Sequence, residues 1–171
     1  VVLNALVNRS AVEDTLFNFA IPETTFGDVD AGDSLTLSAT KADSSALPTW
    51  LSFNASTGTF TGVPANGDVS AFDVKVTAKD ASNASVSSTF TLTVLNTNDA
   101  ATLANGIADQ TATEDVAFTF VVPAGTFVDV DADDTLLLTA TKSDSSALPS
   151  WLSFDGGTRT FSGTPLNGDV S

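Results

Sequence analysis

The sequence predicts an all-β protein: two β-sandwiches in tandem, the second stopping before its last two strands. Three observations predict it. The chain repeats itself without a gap, apolar residues alternate with Thr, Ser and Asn along short segments, and turn-forming residues separate those segments.

The repeat is read by sliding the 171 residues along themselves by 101 positions. Glu13-Asp14 then falls on Glu114-Asp115, and Phe17 and Phe19 fall on Phe118 and Phe120. Asp28-Val29-Asp30-Ala31 falls on Asp129-Val130-Asp131-Ala132. The runs beginning at Asp43 and at Trp50 recur at Asp144 and Trp151, and Asn66 to Ser70 recurs as Asn167 to Ser171. More than half of the overlapping positions are identical. A period of this length is a whole domain rather than a solenoid unit.

Each element of one period follows from its side chains. A first strand is expected around Leu6 to Val12. Phe17, Phe19 and Ile21 alternate with Asn18 and Ala20, the period of a half-buried strand. Leu35, Leu37 and Ala39 do the same against Thr36 and Ser38. Trp50 to Phe53 is a short apolar run after Pro48, and Thr59 to Thr61 follows an Asn-Ala-Ser-Thr-Gly turn. Phe72, Val74 and Val76 alternate with Asp73 and Lys75, and Phe90, Leu92 and Val94 with Thr91 and Thr93. The seven short strands point to a sandwich. Residues 1–95 are read as the first domain, 96–101 as a linker and 102–171 as an incomplete second domain. Residues 102–171 lack the counterparts of the Phe72 and Phe90 strands, so their core face is expected to be exposed and the segment unstable alone. The chain reads as an excised piece of a longer one.

Charge narrows the partners. Six Lys and Arg stand against 21 Asp and Glu, a net charge of −15. That argues against nucleic acid and an anionic membrane surface and suits a cation such as calcium. No apolar stretch is long enough for a transmembrane segment, and no signal peptide is visible. Cys, His and Tyr are absent, which removes disulfides and the usual catalytic bases and nucleophiles. A carboxylate pair on a solvated loop has nothing to raise a pKa, so no enzyme activity is expected.

One string carries a family resemblance. Leu47-Pro48-Thr49-Trp50-Leu51-Ser52-Phe53, then Thr57 to Pro64, then Asn66-Gly67-Asp68 resembles the dystroglycan-type cadherin-like domain. Phe90 to Val94, followed by Asn96-Thr97-Asn98-Asp99-Ala100, is similar to the last strand and linker of that family. The resemblance covers the whole chain. It implies tandem cadherin-like or immunoglobulin-like sandwiches in a large cell-surface or secreted protein, hence an extracellular location, with structural and adhesive work dependent on calcium.

The acidic clusters are the candidate ligands. Calcium takes six to eight oxygens, often from carboxylates two apart on a loop. Asp28-Val29-Asp30-Ala31-Gly32-Asp33 and Asp129-Val130-Asp131-Ala132-Asp133-Asp134 offer that spacing. An EF-hand is excluded, because Ala39 and Ala140 stand where its last Glu belongs. The resemblance implies calcium between successive domains. Glu13 and its copy Glu114 resemble the early Glu, and Asn98 with Asp99 the linker ligands. Asp28, Asp30, Asp129 and Asp131 resemble the Asp-x-Asp loop, and Asp80 a late-loop ligand. Asn96, Ala100 and Ala101 depart from the family pattern, which implies fewer or weaker ions. The same Asp residues also serve as turn formers.

Trp50 and Trp151 read as core residues lying mid-strand rather than as a sugar platform. Asn-x-Ser sequons at Asn8, Asn54 and Asn83 fit the general richness in Asn and Ser. The function expected is a calcium-stiffened structural and adhesive repeat, its partners neighbouring repeats, glycans or other surface proteins. A carbohydrate-binding module is the alternative, and a homotypic contact domain is a third reading.

Overall fold

The computed structural model describes residues 1–30, 34–131 and 134–169, and the chain divides into two units, Val1–Asn98 and Asp99–Ser171.

All seven expected strands form in unit 1: β1 (Arg9–Val12), β2 (Phe17–Ala20), β3 (Thr36–Lys41), β4 (Leu51–Asn54), β5 (Thr59–Gly62), β6 (Ala71–Lys79) and β7 (Ser85–Leu95). They make two sheets, ordered β1-β7-β6-β3 and β2-β5-β4. Every pairing is antiparallel except β1 with β7, which run parallel. The alternation read from sequence is the alternation of burial. Val74, Val76 and Ala78 of β6 and Phe90, Leu92 and Val94 of β7 point inward and are buried. They meet Phe60 and Leu51 of the other sheet in one core. Phe60 is the hub: its ring lies 4.6 Å from Phe53, 5.9 Å from Phe90 and 6.2 Å from Phe19. Burying one such side chain stabilises by about 1.5–3 kcal/mol.

Both tryptophans lie outside the strands, contrary to the mid-strand reading. Trp50 sits in the turn closed by the Leu51 N–H donating to the Pro48 carbonyl (3.0 Å), and Trp151 sits in the matching turn closed by Leu152 and Pro149 (2.9 Å). Pro48 and Pro149 fix turn geometry here and delay each strand by one residue. Each ring is half-buried, edge-on to Phe17 at 6.4 Å or Phe118 at 6.2 Å. Gly62 and Gly163 make this arrangement possible: a Cβ at either would come within 1.9 or 1.8 Å of the tryptophan carbonyl oxygen.

Unit 2 keeps one sheet of the two. Its strands are β8 (Thr102–Leu103), β9 (Phe118–Val121), β10 (Phe127–Val128), β11 (Leu152–Asp155) and β12 (Thr160–Gly163). The sheet β11-β12-β9 repeats β4-β5-β2, and its register repeats too: Phe161 stands opposite Phe120 and Phe154, as Phe60 stands opposite Phe19 and Phe53. β8 pairs with β10, where unit 1 has the single bridge Val2–Phe26.

Residues 110–113 and 137–142, the copies of β1 and β3, are not strands. The reason is pairing. Among the described residues β1 is bonded only to β7 and β3 only to β6, and the 171 residues include no second copy of Ala71–Leu95. A strand without a partner leaves its backbone groups to water and gains nothing from the extended form. The expected exposure of the core face follows. Leu137 is 85% exposed, and Phe127 38% against 8% for its counterpart Phe26.

Candidate metal centre

The acidic side chains named from sequence are held by local turn chemistry, each within its own unit. In unit 1, Glu13 directly follows β1. Its N–H donates to the Leu95 carbonyl (3.1 Å), which carries the β1–β7 pairing one residue further. The side chain is buried, at 1% exposure. Its Oε1 accepts the Thr97 N–H at 2.6 Å. Its Oε2 has no hydrogen-bond partner. Among the described residues, the other buried side-chain atom of that kind is Arg9 Nε, and the Arg9 guanidinium lies 4.5 Å over the Phe19 ring, where cation–π attraction compensates. Nothing comparable serves Glu13 Oε2. A buried, unsatisfied carboxylate oxygen costs on the order of 1–3 kcal/mol or more.

Asp28 and Asp80 line one pocket of unit 1, about 300 Å³ in volume, with Val1, Leu35 and Val86. Asp28 Oδ1 accepts the Asp30 N–H (3.0 Å), and Asp80 Oδ1 accepts the Ala84 N–H (2.8 Å). Asp30 is exposed, as is Asn98, the last residue of unit 1. Ala31, Gly32 and Asp33 of this loop lie outside the described residues, as do Ala132 and Asp133 of the second loop.

Unit 2 gathers three carboxylates. Asp129, Asp131 and Asp134 each offer an oxygen, and these lie within 4.8 Å of one another. The loop is shaped by its own backbone: the Asp131 N–H donates to Asp129 Oδ1 (3.0 Å), and the Asp134 N–H to the Asp131 carbonyl (3.1 Å). Asp99 joins through its N–H, which donates to Asp131 Oδ2 at 2.7 Å. Asp131 is 6% exposed. Two oxygens held 2.3–2.6 Å from a common calcium can be at most about 5 Å apart, so this spacing fits a hard cation bound by oxygen. Asp134 closes the acidic run read from sequence but is not among the ligands assigned there. The signal for it is the repeat itself, because Asp33 and Asp134 occupy the same position in the two copies.

Glu114 behaves unlike Glu13. It is exposed, and it lines an open pocket of about 570 Å³ with Asp169, Trp151 and Pro165. The Leu95 carbonyl that accepts the Glu13 N–H has no equivalent among the described residues of unit 2.

Two of the three sequons are used structurally. Asn8 Oδ1 accepts the Thr91 N–H (2.9 Å), and Asn54 Oδ1 accepts from Ser56 and closes the β4–β5 turn. Three turn carboxyls are held below their ordinary range. The Ser45 hydroxyl and N–H lower Asp43, those of Ser146 lower Asp144, and Thr158 with Gly157 lowers Asp155. No helix is long and apolar enough to cross a membrane.

Comparison with known proteins follows the same division. The family model He_PIG, described as "Putative Ig domain", matches residues 1–95 and again residues 100–171. Among solved structures, the chain is similar to the protocadherin GammaB4 extracellular domain at 16% identity, over 98% of this chain and 29% of that one, with a TM-score of 0.49. It is similar to the human desmocollin-1 ectodomain at 16% identity, over 91% of this chain and 31% of that one, with a TM-score of 0.47. It is also similar to the endo-fucoidan hydrolase MfFcnA4 of glycoside hydrolase family 107 at 22% identity, over 98% of this chain and 24% of that one, with a TM-score of 0.46. The chain thus spans less than a third of each of these proteins, and similarity at this level carries no functional argument. No curated protein sequence matches it.

Proposed function

The chain belongs to the He_PIG family of immunoglobulin-type domains, and from that premise we propose that it is a calcium-binding structural and adhesive repeat module. Its setting is a large surface-exposed or secreted protein, its partners are neighbouring repeats and other surface molecules, and it performs no catalysis of its own. Within the immunoglobulin-like and cadherin-like group, the Trp-Leu-Ser-Phe to Gly-x-Pro string favours the dystroglycan-type branch.

One observation carries the calcium reading. Glu13 keeps a carboxylate oxygen buried with no hydrogen-bond partner, and a bound cation is the simplest group to satisfy it. The Asp129, Asp131 and Asp134 oxygens support the same reading from unit 2, since their spacing matches the reach of one ion. Calcium would supply charge neutralisation to a chain of net charge −15, lowering its self-repulsion. The protein's own contribution is to hold these oxygens in place through the Thr97, Asp99 and Asp131 amides.

Thermal melting in millimolar calcium and in chelator tests this. A site filled at a hundred times its Kd adds about 2.7 kcal/mol, which raises Tm by several degrees. Glu13→Gln makes the test sharper because its sign depends on the ion. In chelator it removes a buried charge, so Tm holds or rises. In calcium it removes a ligand, so the calcium gain shrinks. Asp129→Ala with Asp131→Ala should also reduce the response. Equal melting of the parent chain in calcium and chelator would refute the reading.

A further inference from the structure

Asn-Gly occurs three times in the chain, at Asn66-Gly67, Asn105-Gly106 and Asn167-Gly168. Asparagine followed by glycine carries a chemistry of its own. Glycine has no Cβ to hinder its nitrogen and resists backbone rotation little, so that nitrogen can reach the asparagine Cγ and close a five-membered ring. The backbone decides which of the three can do so. Asn66 and Asn167 each open a short 3-10 turn, Asn66–Asp68 and Asn167–Asp169. The first is closed by the Asp68 N–H donating to the Ala65 carbonyl (2.8 Å), the second by the Asp169 N–H donating to the Leu166 carbonyl (2.8 Å). A carboxylate clamps each turn again, Asp68 Oδ2 accepting the Ala65 N–H and Asp169 Oδ2 the Leu166 N–H. Helical ψ values point the next nitrogen away from the side chain, so ring closure there requires the turn to open first.

Asn105-Gly106 is different. It lies outside any helix or strand, in the exposed segment after β8. The Gly106 N–H has no hydrogen-bond acceptor among the described residues, and nothing lies within 4 Å of the place a Cβ would take. The exposure is a property of the repeat, because Asn4, the copy of Asn105, is exposed in the same place of the seven-stranded unit 1. Unit 1 also shows what this asparagine does. Asn4 Nδ2 donates to the Thr24 carbonyl (2.8 Å), and the Asn4 N–H to the Thr25 carbonyl (3.3 Å). Asn105 makes the same two bonds, to the carbonyls of Gly125 (2.9 Å) and Thr126 (3.2 Å). The asparagine therefore ties the opening segment of each unit to the turn at 22–25 or at 123–126. What differs is the residue that follows it, Ala5 in unit 1 and Gly106 in unit 2.

We propose that Asn105 is a site of spontaneous deamidation, and that the reaction unties the opening segment of unit 2 from the turn at 123–126. The Gly106 nitrogen loses its proton and attacks Asn105 Cγ. The N–Cγ bond forms as the Cγ–Nδ2 bond breaks, and Nδ2 leaves as ammonia, taking up the proton. Water then opens the cyclic imide at either carbonyl, giving an aspartyl or an isoaspartyl residue with no oxidation or reduction. Either product replaces the Nδ2 donor by a carboxylate oxygen facing the Gly125 carbonyl, and two acceptors cannot bond. The isoaspartyl form also lengthens the main chain by one methylene close to β8. The neighbouring strands β8 and β10 are joined over two residue pairs, Phe127–Leu103 and Val128–Thr102, so the loss falls on a short ladder.

The test ages the full 171-residue chain at mildly alkaline pH and follows it by peptide mapping and mass. The peptide holding Asn105 should gain about one mass unit and divide into aspartyl and isoaspartyl forms, at least about tenfold faster than those holding Asn4, Asn66 or Asn167. Gly106→Ala should slow the gain at Asn105 toward that at Asn4 while leaving the Asn105 bonds in place. Amide hydrogen exchange of the aged chain should be faster at 102–103 and 127–128, whereas the aged Gly106→Ala chain keeps its protection. Asn105→Asp, made directly, removes the Nδ2 donor without the ring chemistry and should show part of the same loosening. A gain at Asn66 or Asn167 as fast as at Asn105, or no slowing by Gly106→Ala, would overturn the assignment of the site. Undiminished protection at 102–103 in the fully converted chain would overturn the structural consequence.

Discussion

Phe60 and Phe161 stand at the same place in two copies of one sheet, opposite the same pair of phenylalanines. Phe60 is 1% exposed, whereas Phe161 is only half-buried. The difference separates two things that a sandwich normally joins. Pairing within the sheet β2-β5-β4 is local enough to recur unaided as β9-β12-β11. Burial is not, because it needs the second sheet, and that sheet depends on the central hairpin β6–β7. Glu13 and Glu114 repeat the lesson for a charged residue. The same Glu-Asp pair occurs in both copies, yet one glutamate is buried and the other lies in solvent.

The largest expected effect tests this contrast directly. Phe60→Ala should cost about 3–5 kcal/mol, the usual range for emptying a buried aromatic site. Phe161→Ala should cost less than half as much. Hydrogen exchange of the β5 and β12 amides in the full chain would measure both, and equal losses would break the comparison.

A smaller effect sharpens it. The β4–β5 turn has φ +63° at Gly58, and its copy has φ +57° at Arg159. A side chain there costs about 1–2 kcal/mol relative to glycine. Arg159→Gly should therefore stabilise unit 2 by about 1 kcal/mol, and Gly58→Arg should destabilise unit 1 by a similar amount. Protection of β11 and β12 amides is the readout for the first change, and no gain would mean the turn is not strained.

The smallest effect concerns acid. Asp43 and its copy Asp144 are both held below the ordinary value of 3.8 by their serines. Asp155 is also lowered, by the Thr158 and Gly157 amides, and its unit 1 counterpart is the neutral Asn54. A carboxyl lowered on folding stabilises the folded form above its unfolded pKa. That contribution is lost as pH falls through the folded value. Below about pH 4, unit 2 should lose one more turn contribution than unit 1. Asp155→Asn should remove the difference in a pH series of hydrogen-exchange rates. An unchanged series would mean the Asp155 turn carries no measurable stability.

Much of the fold was legible because alternation of apolar and polar residues is a local signal. Phe72, Val74 and Val76, and Phe90, Leu92 and Val94, announced their strands and their inward faces. The parallel pairing of β1 with β7 joins residues some eighty positions apart, from Arg9 to Leu92, and no local pattern encodes it. The tryptophans were misplaced because Trp50 to Phe53 looks like one apolar run, while Pro48 bends its first residues into a turn. The absence of strand at 137–142 was equally hidden, since Leu137 to Lys142 has a strand's composition and lacks only a partner. For the candidate centre, residue type and spacing pointed to Glu13, Asp129 and Asp131. The repeat held Asp134 in plain view, but an Asp-x-Asp reading stops short of it. That Glu13 would be buried with an unsatisfied oxygen is a tertiary outcome, which spacing alone does not reveal.

The central claim is that these oxygens bind calcium. Calorimetric titration of calcium into the chelator-treated full chain tests it most directly. Saturable binding that weakens in Glu13→Gln and in Asp129→Ala with Asp131→Ala is the predicted result. No binding heat up to millimolar calcium, with magnesium and calcium indistinguishable, would contradict it.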